Sequence, residues 1–287
     1  MRQCRTKDGL TEREIKTMKQ RFKALFAVIL AVSLIIGGST VSFAGTKKAY
    51  GVSGKVTPGM YEAFIGTLRA HANETPGTLY STGIVCSPDD FAMMRESLRH
   101  LFLGEQHVAI VLNTTGASNG YIGDYDDIPG KEHTFTAKFS NLTGLPPTIY
   151  VGFIPGHDPA AIMAQHDAAA AAMNAGLAGA PAGNREFYEY VSNWVAGRGA
   201  YVDNGTDKNH SAYGYVVEGA GVCEALASAY QYMCWASGRE CLFVLSDSGT
   251  HSYNAFPIDG VWYAADITEF KNGNVPAIYQ APAELFL

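Results

Sequence analysis

The chain has few charged residues and few cysteines for its length, and each shortage excludes a class of protein. Charged residues make up 17% of the 287 positions, which is low for a soluble domain. Five cysteines are too few to act as the main scaffold of a chain this long. The cysteines also lack the close pairs of a zinc site, so we expect no metal and no cofactor. Hydrophobic residues make up 47%, which is enough for the core of one or two domains.

A basic segment and a short apolar run begin the chain. The apolar run covers Ala24–Ile36 and is shorter than the roughly 20 residues of a membrane span. Ser42 and Ala44 suit the −3 and −1 positions of a signal peptidase site. We therefore predict a Sec-type signal peptide at residues 1–44, cleaved after Ala44, and a secreted or cell-surface protein. An uncleaved signal anchor stays open, and Met18 is a second candidate for the start of translation.

The predicted mature chain is strongly acidic. Residues 1–44 contain 8 of the 21 basic and 3 of the 27 acidic residues, so the remainder has 13 basic and 24 acidic residues and a net charge of −11. Such a surface repels nucleic acid and anionic lipid. We therefore expect neither of them as a partner, and no membrane contact beyond a signal anchor.

Residues 45–155 combine helical and strand patterns, and we treat them as an accessory region without an assigned function. Apolar residues at helical spacing predict the helices, and apolar runs or alternation predict the strands. The predicted elements are helices at Gly59–Arg69 and about Asp90–Leu103, strands at Val108–Leu112, Thr134–Phe139 and Thr148–Ile154, and a loop at Gly116–Gly130.

Residues 156–287 carry clearer signals and form the second predicted region. Asp158 and Pro159 begin a helix, with proline at its first position. Asp259 and Gly260 form a strong two-residue hairpin signal. The predicted elements are helices from Pro159 to about Ala178, at Arg185–Val195 and from Cys223 to about Ser237, and strands at Cys241–Leu245, His251–Ile258 and Val261–Thr268.

Cys223 begins one of these helices, and this position suits a nucleophile. The positive end of the helix dipole favours a thiolate over a thiol. The backbone N–H groups of a first helical turn have no partner within the helix and can bind an oxyanion. A histidine base and a group that orients it are needed to complete such a site.

The hairpin register brings His251 and Asp266 to one face. A loop at residues 259–260 places Ile258 opposite Val261, and Asp266 then lies opposite Tyr253. His251 is two residues from Tyr253, so it lies on the same face as Asp266 and diagonal to it, roughly 7–8 Å away along the backbone. We therefore predict that Cys223, His251 and Asp266 form a catalytic triad.

Other reactive residue types have simpler interpretations. Buried cysteine is common, and Cys234 lies too far along the helix from Cys223 for a disulfide. We interpret Cys234 and Cys241 as packing residues. Tyr213 and Asn254 either assist the reaction or pack. Three histidines at predicted helix ends or loops are interpreted as solvated, and an acidic loop is interpreted as solvated rather than as a calcium site. These are His157, His166 and His210, and Asp124–Asp127.

Three segments resemble the transglutaminase-like superfamily, in particular its secreted bacterial members. These have a cysteine in G-V-C-x-x-x-A, a histidine in H-x-[WY]-N and an aspartate in W-Y-x-x-D-x-T. The corresponding segments here are Gly221–Ala227, His251–Asn254 and Trp262–Thr268. Two departures stand out. Glu224 adds a carboxylate beside the cysteine, which disfavours the thiolate, and Tyr253 replaces a common tryptophan.

The resemblance implies an α+β fold with a papain-like core, in which the cysteine-bearing helix packs on an antiparallel sheet. It implies acyl transfer from an amide or peptide bond through a thioester, either cross-linking or hydrolytic as in a cysteine peptidase or amidase. An extracellular protein or a cell-wall peptide is the expected substrate. Two alternatives stay open. One is a non-catalytic cell-surface binding module that retains the fold, and the other is a structural domain whose cysteine is covered by a loop.

Overall fold

Two sheets and the helices packed on them make up the part of the chain that a computed structural model describes. That part comprises residues 56–99, 107–113, 120–124, 133–139, 146–203, 206–246 and 250–281. All of it belongs to one compact unit, Gly45–Leu287. The signal peptide predicted at residues 1–44 and most of the acidic loop at 124–127 lie outside the described residues. Within the described residues, no helix has the length and apolarity needed to cross a membrane.

Five strands form the first sheet. They are β1 (Thr78–Val85), β2 (Val108–Asn113), β3 (Gly120–Asp124), β4 (His133–Phe139) and β5 (Thr148–Phe153). Their order across the sheet is β2–β5–β1–β4–β3. β1 and β4 run parallel, and the other neighbours are antiparallel. Every residue of β5 is buried, because this uncharged strand lies between β2 and β1.

The strands predicted near residues 108, 134 and 148 are confirmed, but the loop predicted at Gly116–Gly130 is wrong in part. β3 lies inside that segment and pairs with β4 along its whole length. Glycine has low intrinsic preference for strands, so a sequence that begins and nearly ends with glycine gives a weak strand signal. The strand forms because a partner is available, which local composition does not reveal.

Four helices precede the second sheet. Within the described residues, the ends of each helix lie within a few residues of the predicted ends. α3 has Pro159 at its first position, and the Asp158 side chain accepts a hydrogen bond from the backbone N–H of Ala160 at 3.0 Å, as the sequence predicts. The helices are α1 (Pro58–Ala70), α2 (Pro88–Arg99), α3 (Pro159–Leu177) and α4 (Asn184–Ala196).

The remaining elements build a small antiparallel sheet and the helix that covers it. They are β6 (Ala200–Tyr201), a 3₁₀ turn (Asp207–His210), α5 (Ala212–Val216), β7 (Ala220–Gly221), α6 (Cys223–Ala236), β8 (Leu242–Leu245), β9 (Ser252–Ile258), β10 (Val261–Ala265), α7 (Ile267–Lys271) and β11 (Tyr279–Gln280). The second sheet has the order β11–β10–β9–β8. β6 and β7 form a separate parallel pair just before α6.

The hairpin between β9 and β10 has the predicted register. Asp259 and Gly260 both have positive φ, at 51° and 80°, as a two-residue hairpin turn of this sequence requires. Ile258 pairs with Val261. β10 ends at Ala265, however, and not at the predicted Thr268. The reason is that Asp266 caps α7: its side chain accepts a hydrogen bond from the backbone N–H of Glu269.

Helix α6 is buried along nearly its whole length and packs on the second sheet. The Asn254 side-chain amide on β9 donates to the carbonyls of Ala227 at 3.1 Å and Leu242 at 3.2 Å, so it joins the helix to two strands. These two bonds give Asn254 a structural contact, and its part in the reaction stays open. Cys234 and Cys241 are 0% and 1% exposed, which confirms that they pack in the core. Helices and mainly antiparallel sheets therefore give the chain an α+β fold.

Contacts between α1 and α3 join the residues before 156 to those after. The Arg69 guanidinium donates two hydrogen bonds to the Asp167 carboxylate, at 2.8 and 2.7 Å. Next to it, the ring Nε2 of His166 is hydrogen-bonded to the Tyr61 hydroxyl. His166 is 7% exposed, so the interpretation of this histidine as solvated is wrong: α1 covers it. The boundary between residues 155 and 156 stays a prediction.

Candidate active site

The backbone just before α6 lies close to α5 and to the first turn of α6. Cys223 is the first residue of the helix, and Val222 before it provides no side-chain cap. A Cβ atom on Gly221 would lie 2.9 Å from the Cβ atoms of both Tyr215 and Ala225, so only glycine fits there without displacing a neighbour. The Cys223 side chain is buried, with the residue 6% exposed.

The structure places His251 directly before β9. Its backbone N–H donates to the Ser246 hydroxyl at 3.1 Å, which fixes the turn that leads into the strand. Its ring Nε2 lies 2.6 Å from Oδ2 of Asp266. The His251 side chain is 30% exposed and the Asp266 side chain 2%. The imidazole therefore lies at the boundary between solvent and a buried carboxylate.

Asp266 has a partner on each carboxylate oxygen. Oδ2 faces His251, and Oδ1 accepts a hydrogen bond from the backbone N–H of Glu269 at 3.0 Å. A buried carboxylate without such partners is strongly unfavourable, so this pair of contacts explains how Asp266 is tolerated. Asp266 directly follows β10 and His251 directly precedes β9, so the pairing of these two strands holds the two side chains together.

Cys223 is the second partner of the His251 ring. Burial, the largest single influence, lowers the pKa of His251, but hydrogen bonds to Asp266 and to the Cys223 side chain, together with the charges of both, raise it to about 10. Since Nε2 faces Asp266, Nδ1 is the nitrogen left for the thiol. The structure thus brings Cys223, His251 and Asp266 together at one site, with His251 hydrogen-bonded to Asp266 and near the thiol. Their catalytic role stays a prediction.

The carboxylate of Glu224 does not stand alone beside the cysteine. One of its oxygens is hydrogen-bonded to Nδ1 of His210, from the 3₁₀ turn. The side chains are 20% and 27% exposed. The interpretation of His210 as solvated is wrong, because its ring is paired with Glu224. A protonated His210 offsets the negative charge that Glu224 adds next to the thiolate.

Tyr201 is a member of the site that sequence reasoning missed. Its backbone pairs with Gly221, two residues before the cysteine. Burial, followed by the charge and the hydrogen bond of Cys223, raises the pKa of Tyr201 to about 12. Tyr201 lies 22 residues before the cysteine, in a two-residue strand inside a segment that the glycines of 197–205 predict as irregular. No local pattern marks it.

Tyr213 lies on α5 and packs its half-buried ring against the main core. Among the described residues there is also no group of three or more His, Cys, Asp or Glu side chains arranged to hold a metal ion.

Comparisons with known proteins add little to this geometry. No family model matches the chain, and no curated protein matches it. A crystal structure of a TGase is similar to part of it, with a TM-score of 0.32 and 14% sequence identity. The match covers 50% of this chain and 46% of that one, so it spans less than half of the TGase. A likeness of this size carries no argument about function.

Proposed function

We propose that the protein is a cysteine-dependent acyl-transfer enzyme of the transglutaminase-like class. The position of His251, bonded to the buried Asp266 and close enough to Cys223 for the thiol to influence its pKa, is the observation that carries this proposal. Supporting it, α6 packs on an antiparallel sheet that holds the other two residues, which is the papain-like arrangement that the resemblance implies. Residues 156–287 form the catalytic domain of this proposal.

The reaction begins with the thiolate of Cys223 and the imidazolium of His251. A His251 pKa of about 10 keeps the ring protonated at neutral pH and ready to pair with a thiolate. The thiolate attacks the carbonyl carbon of an amide, and the carbonyl electron pair moves to the oxygen. The backbone N–H of Cys223 at the start of α6 donates to that oxyanion. His251 then gives its proton to the leaving amine, which leaves a thioester on Cys223.

The second half of the reaction needs His251 as a base. Part of the rise in its pKa comes from the hydrogen bond and charge of Cys223, and acylation removes that charge. The pKa of His251 therefore falls in the thioester state, and the ring can take a proton from water or an amine. Asp266 keeps the ring oriented through both steps. Water gives hydrolysis, as in a peptidase or amidase, and an amine gives cross-linking.

We further propose that the enzyme acts outside the cytoplasm, after cleavage behind Ala44, on an extracellular protein or a cell-wall peptide. The apolar run and the small residues before the cleavage site support this location, and the acidic mature chain fits a partner other than nucleic acid.

An acyl-enzyme assay tests the proposal. The full chain is mixed with p-nitrophenyl acetate, and intact-protein mass spectrometry follows the mass gain of one acetyl group. We expect a burst of p-nitrophenolate and one acetyl group on Cys223, absent in Cys223→Ala and strongly reduced in His251→Ala. Peptides with glutamine or with cell-wall sequences then serve as donors, with ammonia or amine release as the readout. Absence of any acyl-enzyme in the wild type would favour the non-catalytic binding module instead.

A further inference from the structure

The ring of Tyr253 lies beside the imidazole of His251 and nearly parallel to it. The two ring centroids are 6.1 Å apart, and the ring planes differ by 21°, which is an offset stacked arrangement. The two residues flank Ser252 at the start of β9, and alternate side chains of a strand leave the sheet on the same face. The stack therefore follows from the extended backbone at this point.

Tyr253 also lies next to the carboxylate that holds the imidazole. Ala265 pairs with Asn254 at the end of the β9–β10 ladder, so the next two positions to face each other are Asp266 and Tyr253. Nε2 of His251 is bonded to Oδ2 of Asp266. The phenol ring is thus located where the base of the site meets the group that orients it.

The ring of Tyr253 is fixed by its surroundings. Tyr253 is 1% exposed, whereas the His251 side chain is 30% exposed. Its backbone pairs with Val244 on β8, and its side chain packs in a small apolar cluster of the second sheet. The other buried members of this cluster are Leu242, Val244, Ala255, Ala264 and Ala281. The phenol ring is therefore a rigid surface against which the more exposed imidazole rests.

A single hydrogen bond does not fix the orientation of an imidazole. The ring of His251 can pivot about the line from its Nε2 to Oδ2 of Asp266, and such a pivot turns Nδ1 away from the thiol of Cys223. A flat surface against one face of the imidazole restricts the pivot. The stacked ring of Tyr253 provides that surface.

We propose that Tyr253 is a positioning residue that holds the His251 ring in one orientation and favours its protonated form through the face of the phenol. This inference rests on the proposed acyl transfer. The face of an aromatic ring is electron-rich and attracts a cation within about 6 Å of its centroid, and the imidazolium lies at that limit. The charged or titratable groups that act on the imidazole, Asp266 and the Cys223 thiol, favour the same form.

A competing role for Tyr253 is that of a core residue whose ring only fills space. The two roles differ for a ring of nearly the same shape with the opposite charge distribution. Pentafluorophenylalanine is such a ring, because its fluorine atoms make its face electron-poor, and an electron-poor face disfavours a cation. If the ring only fills space, fluorination leaves His251 unaffected.

The test places phenylalanine or pentafluorophenylalanine at position 253 of the full chain, with Tyr253→Leu as the variant that has no ring. NMR of the imidazole nitrogens gives the pKa of His251 in each protein, and p-nitrophenyl acetate gives the acylation rate. Circular dichroism checks that each variant is folded. The matched control is Leu242→Ala, which loosens the same apolar cluster at a position opposite Ala255, further along β9 from His251.

We expect pentafluorophenylalanine to lower the pKa of His251 by about half a unit relative to phenylalanine, the size of a weak cation–π contact. Tyr253→Leu should lower this pKa by a similar amount. Acylation by Tyr253→Phe should exceed that by Tyr253→Leu about tenfold, because the ring again holds the imidazole in its reactive orientation. Leu242→Ala should leave the pKa of His251 near its wild-type value.

The inference is overturned if the phenylalanine and pentafluorophenylalanine proteins give the same His251 pKa, or if Leu242→Ala lowers that pKa as much as Tyr253→Leu does. If Tyr253→Leu does not fold, the comparison of the two aromatic rings still decides the question. A wild type that forms no acyl-enzyme refutes the proposed function instead. Because the pKa comparison needs no reaction, the two failures are distinguishable.

Discussion

Nε2 of His251 lies 2.6 Å from Oδ2 of Asp266, and the same carboxylate begins α7 through its other oxygen. One buried side chain thus holds the base of the site and caps a helix. Because the two oxygens have different partners, the two contributions can be separated by the choice of substitution.

Asp266→Asn separates orientation of the base from the helix cap. Asparagine is a good N-cap, so its oxygen keeps the bond to the Glu269 N–H, and its amide NH₂ faces His251. The ring must then accept at Nε2 and carry its proton on Nδ1, the wrong tautomer for taking a proton. We expect acylation by p-nitrophenyl acetate to fall by about two to four orders of magnitude, with a small change in thermal unfolding.

The matched variant Asp266→Ala loses both contacts. It should lose activity to a similar degree and also lower the unfolding free energy by about 1 kcal/mol or more through the missing cap. If Asp266→Asn kept near-normal acylation, orientation of His251 by the carboxylate would not matter to the reaction.

The pair of His210 and Glu224 predicts a second, electrostatic effect at Cys223. His210→Ala leaves the Glu224 carboxylate beside the thiol without the cation that offsets it. We expect the midpoint of the alkylation rate against pH to rise by about 0.5 to 1 unit, since the pair is partly exposed and partly screened. The measurement is the rate of iodoacetamide labelling of Cys223 between pH 5 and 10.

The double variant His210→Ala, Glu224→Gln is the control for this effect. It removes the carboxylate as well, so the midpoint should return to the wild-type value or below it. A midpoint that stays raised in the double variant would show that His210 acts by packing and not by charge.

The buried His166 predicts that acid weakens the contact between α1 and α3. Burial, the largest influence, lowers the pKa of His166, although the hydrogen bond to Asp167 raises it. A lowered pKa means that the unfolded state, with a value of about 6.5, binds a proton more readily than the folded state. The stability that neutral His166 contributes is therefore complete above pH 6.5 and decreases as the pH falls below it.

We expect the difference in unfolding free energy between wild type and His166→Gln to shrink as the pH falls from 7.5 to 5, because glutamine does not titrate. Urea unfolding at several pH values measures it, and other titrating groups cancel in the difference. The groups that face His166 are Tyr61, Asp167, Arg69 and Glu62. A difference that is constant or grows with acid contradicts this assignment.

The sequence allowed the second sheet to be predicted more accurately than the first. The Asp259–Gly260 turn dictates one hairpin register, because both residues accept positive φ, and that register brings His251 and Asp266 to one face. The position of Cys223 at a helix start also follows from local spacing. In the first sheet, β3 has two strand-forming residues, Tyr121 and Ile122, between two glycines and an aspartate, and this short signal gave no strand prediction although the segment pairs with β4.

Two parts of the site depend on tertiary contacts that no local pattern encodes. Tyr201 lies opposite Gly221, just before Cys223, because β6 pairs with β7. His210 meets Glu224 because the 3₁₀ turn packs beside the first turn of α6. In both cases the residue type was compatible with a loop, and a partner distant in sequence decided its position.

The most direct test of the central claim is the rate at which iodoacetamide labels Cys223 as a function of pH, in the wild-type full chain and in His251→Ala. Cys234, which is fully buried, serves as the internal reference in the same peptide map. The account predicts fast labelling with a midpoint well below the value of about 8.5 for a free thiol, and a return toward that value in His251→Ala. Labelling as slow as that of Cys234, or a midpoint unchanged by the loss of His251, would contradict the thiolate–imidazolium pair on which the proposed function rests.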